Sequence, residues 1–349
     1  MNTQDLTIDA AMRADVINGT ISNLDAHYVF PAIAQEVVTA IRQRQDNGEY
    51  DDLATATALR DVLTAHMQEV SRDKHLQVRY HAEPQPFGVD RNMFDDPQFL
   101  ERLHQNMRRD NFGFARCERQ RGNIGYLDLR SFAPPEWDDC GQVAAAAMTF
   151  LVHTSALIID VRRNGGGAAG MVDLLCSYLL PATPERPVHL YDFYARDGDR
   201  LEQHWTLPHV PGRRYLSKPV YVLTSGRTVS AAESFADTLQ TMRRATLVGE
   251  LTAGAGNPVG LYRINAHFSI FVSNGRAINA VTGGNWEGVG VTPDILVPQE
   301  DALRTAHIAA LRKLRETPST DPDRELQEEM RVMLGELEHD RPEEGSPAS

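Results

Sequence analysis

The chain has 349 residues, a formal net charge of −13, and 42% apolar against 24% charged residues. That length is enough for one large core with a smaller satellite, and the acidic balance sets aside a nucleic-acid backbone as partner. No apolar run reaches the roughly 18 residues that a membrane-spanning helix needs, so no membrane partner is expected.

The first residues, Met1-Asn-Thr-Gln-Asp-Leu-Thr-Ile-Asp9, are polar and acidic. They lack the basic start and apolar run of a secretory signal. Cys117, Cys140 and Cys176 follow no metal-ligand spacing and read as reduced thiols, so a cytoplasmic location is expected. Over 10–72 the apolar residues recur by threes and fours: Val16, Leu24, Val29, Phe30, Ile33, Val37, Val38 and Ile41. Asn47-Gly48 interrupts the pattern, and Leu53, Leu59, Leu63 and Met67 resume it. An N-terminal helical domain over 1–80 follows, its apolar stripe facing a core. It closes with a strand at 75–80, where Leu76, Val78 and Tyr80 alternate with polar neighbours. Residues 81–120 hold prolines, charges and few apolar positions, and read as a connector with one short helix near 97–107.

An α/β core is expected over 121–300. It starts with a strand at 124–129 and an alanine-rich helix at 138–152. The run Ala156-Leu-Ile-Ile-Asp-Val161 is nearly continuous apolar, as in a strand buried on both faces. Asn164-Gly-Gly-Gly167 then turns into a helix at 171–179. Strands at 188–194 and 220–223 flank a polar connector. A helix at 230–242, a strand at 245–248 and a hairpin-like pair at 263–266 and 268–272 come next. Strands alternating with helices imply α/β layers. Two amphipathic C-terminal helices fill 301–337, at 301–316 and 323–337, and a charged tail at 338–349 is expected to be disordered.

Four stretches carry candidate chemistry. In Thr224-Ser-Gly-Arg-Thr-Val-Ser-Ala-Ala-Glu233 a strand and tight turn deliver Ser230 to a helix start. Unpaired amides and the positive end of the helix dipole favour an oxyanion there, and so a nucleophilic serine. The same Ser230-x-x-Glu233 is also a capping box, which needs no chemistry. In Asp160-Val-Arg-Arg-Asn-Gly-Gly-Gly167 the glycines permit positive φ and close approach of a ligand, with Gly166 or Gly167 N–H as oxyanion donors. A plain tight turn or a phosphate nest uses the same residues. No Lys-Ser/Thr follows, so this is no P-loop, and the dinucleotide spacing is missing as well. His75 stands between a helix and a strand, where a base could sit; a structural or solvated histidine reads the same way. Glu287 lies among glycines in Asn285-Trp-Glu-Gly-Val-Gly-Val-Thr-Pro-Asp294, either to orient a histidine or as a surface carboxylate.

Six segments occur in one order: Asp73-Lys-His-Leu76, Asn123-Ile-Gly-Tyr-Leu127, Ile159-Asp-Val-Arg-Arg-Asn-Gly-Gly-Gly167, Thr224 to Glu233, Val248-Gly-Glu-Leu-Thr252 and Trp286-Glu-Gly-Val-Gly-Val-Thr-Pro-Asp294. Together they resemble the serine peptidases that include tail-specific (C-terminal processing) proteases, tricorn protease and the interphotoreceptor retinoid-binding protein repeats. The nearest likeness is to bacterial proteins similar to those repeats. Tyr28-Val-Phe-Pro31 and the helices around it resemble that family's N-terminal domain.

The resemblance implies a β-rich α/β catalytic core of the crotonase and Clp-protease type. It makes Ser230 the nucleophile, with Ala231 N–H and Gly166 or Gly167 N–H as the oxyanion hole. The Gly-Lys-Gly element of the Ser/Lys enzymes reads Gly254-Ala255-Gly256 here, and a methyl group takes no proton. His75, Ser230 and Glu287 instead match the tricorn-like Ser/His/Glu set, although Lys74 replaces the serine that precedes the histidine there. Residues 81–120 are too few for a PDZ domain, and none is expected. The function implied is a cytoplasmic serine hydrolase, foremost a peptidase on peptide or protein substrates, with no metal or cofactor. Two other functions fit the fold: non-catalytic binding of apolar, retinoid- or lipid-like ligands, and small-molecule esterase or amidase activity.

Overall fold

The computed structural model describes residues 5–85, 93–316 and 324–339. In chain order the elements are α1 (Ala10–His27), α2 (Pro31–Asp46), α3 (Ala56–Ser71), β1 (Gln77–Tyr80), α4 (Pro97–Arg109), β2 (Phe114–Gln120), β3 (Ile124–Leu129), α5 (Cys140–Leu151), β4 (Ala156–Asp160), α6 (Ala169–Leu179), β5 (His189–Ala195), β6 (Arg200–Trp205), β7 (Val220–Thr224), α7 (Ala231–Thr241), β8 (Thr246–Gly249), β9 (Val259–Arg263), β10 (Phe268–Ser273), β11 (Gly275–Asn279), β12 (Ile295–Leu296), α8 (Ala302–Glu316) and α9 (Arg324–His339). They form two compact units that interleave along the chain. The first takes Met1–Asn106, Leu190–His204 and Gly254–Gly290; the second takes Met107–His189, Trp205–Ala253 and Val291–Ser349.

In the second unit a six-stranded sheet runs in the order β12-β8-β7-β4-β3-β2. All neighbours pair in parallel except β2, which lies antiparallel on the edge. Every residue of β3, β4 and β7 is buried, which is why the sequence shows apolar runs rather than alternation. One face of the sheet, with Ile124, Tyr126, Ile158, Tyr221 and Leu223, packs against Ala306, Ala310 and Leu311 of α8 and Met330 and Leu334 of α9. The opposite face, with Leu127, Leu157, Ile159 and Val222, is buried too. Each large side chain removed from water there contributes about 1.5–3 kcal/mol.

In the first unit α1, α2 and α3 pack on a small antiparallel sheet ordered β1-β10-β9, around Val16, Leu24, Val37, Leu59, Leu63, Phe268 and Ile270. The helix starts follow from local chemistry. Asp9 Oδ1 accepts the Met12 amide at 2.8 Å, Thr55 Oγ1 accepts the Ala58 amide at 3.3 Å, and Pro31 opens α2. A second antiparallel sheet has the order β11-β5-β6.

The mixed α/β architecture expected from sequence is present. Four strands were not anticipated: β2, β6, β11 and the two-residue β12, which is too short to leave a sequence pattern. β2 falls in the stretch read as connector, because it is an edge strand with four of its seven residues exposed and a bulge at Phe114/Arg116. β6 falls in the polar connector after β5 and is exposed along nearly its whole length. β11 follows β10 after the single residue Asn274 and pairs with β5 in another sheet, a continuation that the Asn274-Gly275 turn signal does not reveal. The hairpin also starts earlier than its sequence reading: β9 ends at Arg263, and residues 264–267 form the turn. Of the tail expected to be disordered, residues 340–349 lie outside the described residues.

Candidate active site

The serine lies in the second unit. Strand β7 carries the chain to a loop tied down on both sides. Ser225 Oγ donates to Arg162 O at 2.6 Å, Thr228 Oγ1 donates to Val161 O at 2.9 Å, and Val229 N donates to Asn164 O at 3.0 Å. These bonds clamp the serine loop against the glycine loop that follows β4. Ser230 itself takes φ 56° and ψ −120°. A non-glycine residue there carries strain of order 1–3 kcal/mol, and such strain is retained where surrounding contacts enforce it. Gly166 leaves the room: a Cβ on it would lie 2.9 Å from Ser230 Cβ and 3.1 Å from Ala231 N.

Helix α7 begins directly after Ser230. The Ser230 amide donates to Glu233 Oε2 at 2.9 Å, closing the capping box read from sequence. Glu233 is fully buried, and its other oxygen accepts the Thr252 hydroxyl. Thr252 Oγ1 accepts the Val291 amide at 2.7 Å. Ser230 therefore caps the helix from the position at which the sequence reading expects a nucleophile.

The oxyanion donors need one correction. Gly166 N–H is engaged: it donates to Asn164 Oδ1 at 2.9 Å. The Gly167 and Ala231 amides form no hydrogen bond with the described residues, so of the three amides expected as donors these two are unengaged. Gly167 has φ 140°, and a Cβ on it would stand 2.1 Å from Phe132 O, so no other residue fits. Asn164 was read only as part of the turn. It is fully buried, and its Nδ2 also donates to Leu129 O at 2.9 Å. The signal available was an Asx residue two positions before a glycine amide. Beneath the loop, Asp160 accepts Arg162 Nε at 2.9 Å and the Tyr126 hydroxyl at 2.7 Å. Burial pushes the Asp160 carboxyl upward, but the Arg162 and Tyr126 hydrogen bonds outweigh it and hold it below the usual carboxylate range.

The histidine lies in the first unit. Helix α3 ends on Arg72 in the left-handed region, φ 58°. This turns the chain into Asp73, which is 1% exposed. Asp73 Oδ1 accepts the His75 amide at 2.9 Å, fixing the turn that presents the imidazole ahead of β1. His75 Nδ1 lies 3.8 Å from Glu287 Oε2. That same oxygen accepts the Gly256 amide at 2.6 Å and the Asn257 amide at 2.8 Å. The Glu287 amide donates to Asn285 Oδ1 at 2.9 Å. The loop at Gly254-Ala255-Gly256, where related enzymes carry a lysine, thus holds a carboxylate, and Ala255 is 3% exposed. Burial first, and Glu287 second, push the Asp73 carboxyl above the usual carboxylate range. Burial and then Asp73 likewise push the Tyr28 hydroxyl up.

Ser230, Gly166, Gly167 and Ala231 therefore come together in one unit, and His75 and Glu287 come together in the other. Chemically, the first group is a strained hydroxyl beside two undonated amides; the second is an imidazole beside a held carboxylate.

Residues 123–297 match the profile of peptidase family S41, and residues 6–107 match the N-terminal domain of that family in eukaryotic IRBP. The carboxy-terminal-processing protease of Bartonella bacilliformis is 27% identical over 190 residues, 52% of this chain and 40% of that protein. The carboxyl-terminal-processing protease of a Synechocystis species is 30% identical over 189 residues, 51% of this chain and 38% of that protein. The chain thus spans about two fifths of the length of these curated relatives. A crystal structure from Parabacteroides merdae, described as a candidate peptidase, shares the fold with TM-score 0.58 at 21% identity, over 88% of this chain and 99% of that one. With the fold, the ordered motifs and the profile match in agreement, the chain belongs to peptidase family S41.

Proposed function

We propose that the chain is a serine-type peptidase that cleaves peptide or protein substrates through an acyl-enzyme. The observation that carries this reading is the placement of Ser230: positive φ, the first position before α7, and the free amides of Gly167 and Ala231 in the same unit. In the proposed chemistry His75 takes the hydroxyl proton while Ser230 Oγ bonds to the scissile carbonyl carbon. The carbonyl electron pair moves onto oxygen, which accepts from Gly167 and Ala231 N–H. Collapse re-forms the carbonyl and breaks the C–N bond, and the imidazolium returns its proton to the leaving amine. A water molecule repeats the sequence to release the acid. Glu287 holds the imidazolium charge, a role supported by the 3.8 Å approach to Nδ1. The buried methyl of Ala255 supports the histidine rather than a lysine as base.

The test is labelling with a fluorophosphonate probe, followed by peptide hydrolysis, in wild type and Ser230→Ala. Labelling and turnover that vanish together in the variant are expected. A folded wild type that neither labels nor hydrolyses any of a broad peptide mixture would sink the reading. A cytoplasmic location is part of the proposal and is supported by three cysteines free of disulfides. Recovery of the protein outside the cytoplasm on cell fractionation would overturn it.

A further inference from the structure

Asp73 and His75 stand two residues apart in one turn, and the fold of the first unit brings Glu287, remote in sequence, to them. One ligand atom from each lies within 4.8 Å of the others. Each residue also has a buried atom with no hydrogen-bond partner: Asp73 Oδ2, His75 Nδ1 and Glu287 Oε1. Asp73 is 1% exposed, so its Oδ2 has no bulk water to face. A buried polar atom left without a partner costs about 1–3 kcal/mol, and more when charged. Three of them converging from two segments remote in sequence, 73–75 and 285–287, point to something shared.

A second proton does not serve all three. The His75 Nδ1 to Glu287 Oε2 separation of 3.8 Å is beyond hydrogen-bond reach. Two carboxylates beside one imidazole leave an excess of negative charge. One imidazole and two carboxylates are instead a familiar donor set for a divalent ion of borderline softness. Donor atoms around such an ion stand about 3.3 Å apart at bond lengths of about 2.0–2.1 Å, so the side chains need to close by little more than an ångström. Supporting contacts are already in place. Glu287 Oε2 is fixed by two loop amides, Asp73 Oδ1 by the His75 amide, and Tyr28 and Ser273 face the Asp73 carboxyl.

We propose that Asp73, His75 and Glu287 form a site for a divalent cation of the zinc class, and that its occupation removes His75 from service as a base. Binding is a property of the first unit. The inhibitory consequence rests on the peptidase reading, because an imidazole coordinated through Nδ1 and shared by a cation no longer accepts a serine proton readily.

The experiment is calorimetric titration of Zn²⁺ into the full chain, with Co²⁺ visible absorption as a second readout that needs no activity. Wild type and Ser230→Ala should bind one equivalent alike and give the intense Co²⁺ bands of a low-symmetry site. Asp73→Asn and His75→Gln, each checked for fold by circular dichroism, should weaken binding at least tenfold. His75→Gln keeps the test valid should Asp73→Asn fail to fold. In wild type, Zn²⁺ should suppress fluorophosphonate labelling over the concentration range in which it binds, and a chelator should restore it. No stoichiometric binding would overturn the site and assign the converging atoms to water. Binding unchanged in both variants would overturn it too, and place the ion on other histidines among the 12 in the chain. Binding that follows the variants in a protein that never labels would keep the cation site and remove the peptidase reading.

Discussion

The serine half and the histidine half of the candidate site are built by different means. The serine loop and the glycine loop each follow a buried parallel strand and are cross-tied by Ser225, Thr228, Val229 and Asn164. The two loops are bonded to each other at several points, and the strain at Ser230 is enforced from several directions. The histidine half is drawn from 73–75, 254–257 and 285–287, outside any long strand, and keeps unpartnered atoms on Asp73, His75 and Glu287. On the proposed chemistry, the contrast teaches that a nucleophile and its oxyanion donors need fixed geometry, whereas a base that changes charge and partner during turnover tolerates a softer setting.

The largest expected effect comes from breaking the rigid half chemically. Ser230→Ala should lower peptide turnover by roughly four to six orders of magnitude, with the melting temperature nearly unchanged. Turnover within tenfold of wild type would remove Ser230 from the chemistry. His75→Gln probes the softer half and should cost roughly 10²–10⁴ in kcat. Melting should be little affected, since the Nδ1 atom forms no hydrogen bond to lose. An unchanged kcat there would break the assignment of a base.

Gly167→Ala should act through structure. The added Cβ meets Phe132 O at 2.1 Å, so a loss of about 3 kcal/mol or more in denaturant unfolding is expected. A variant as stable as wild type would mean that the glycine loop is not held as described. The smallest effect separates the halves by pH. Asp73 has its folded pKa raised above the unfolded value. Folding therefore binds protons, and the ionised carboxylate subtracts stability as pH rises from the ordinary carboxylate range through the raised value. Asp73→Asn, which keeps an oxygen for the His75 amide, should raise the melting temperature at pH 8, with the gain shrinking toward pH 4. A gain that grows on acidification would reverse the sign and refute the buried-carboxylate account.

The serine half was legible because strand, turn and helix are consecutive, so Ser230 and the glycines stand in local motifs. What the sequence hid there was a side chain: Asn164 captures the Gly166 amide, and only the folded loop shows which amides remain. Edge strands such as β2 and β6 hid for the opposite reason, because exposed residues need no apolar pattern. In the histidine half, His75 and Glu287 were readable from their motifs, but Asp73 was not. Its neighbours Glu287, Ser273 and Tyr28 are remote in sequence. The composition of the first unit, returning at Leu190–His204 and Gly254–Gly290, leaves no local trace either.

That interleaving has a consequence in time. A ribosome delivers the chain from one end, and the first unit is incomplete until residue 290 has been made. His75 emerges early, yet its carboxylate partner, the amides that hold that partner and the strands beneath them arrive more than half a chain later. The glycine and serine loops likewise wait for α8 and α9 to cover their sheet. On the proposed chemistry, a nascent chain carries a serine without a working base, and the cutting activity appears only after residue 290 and the helices that follow it have been made.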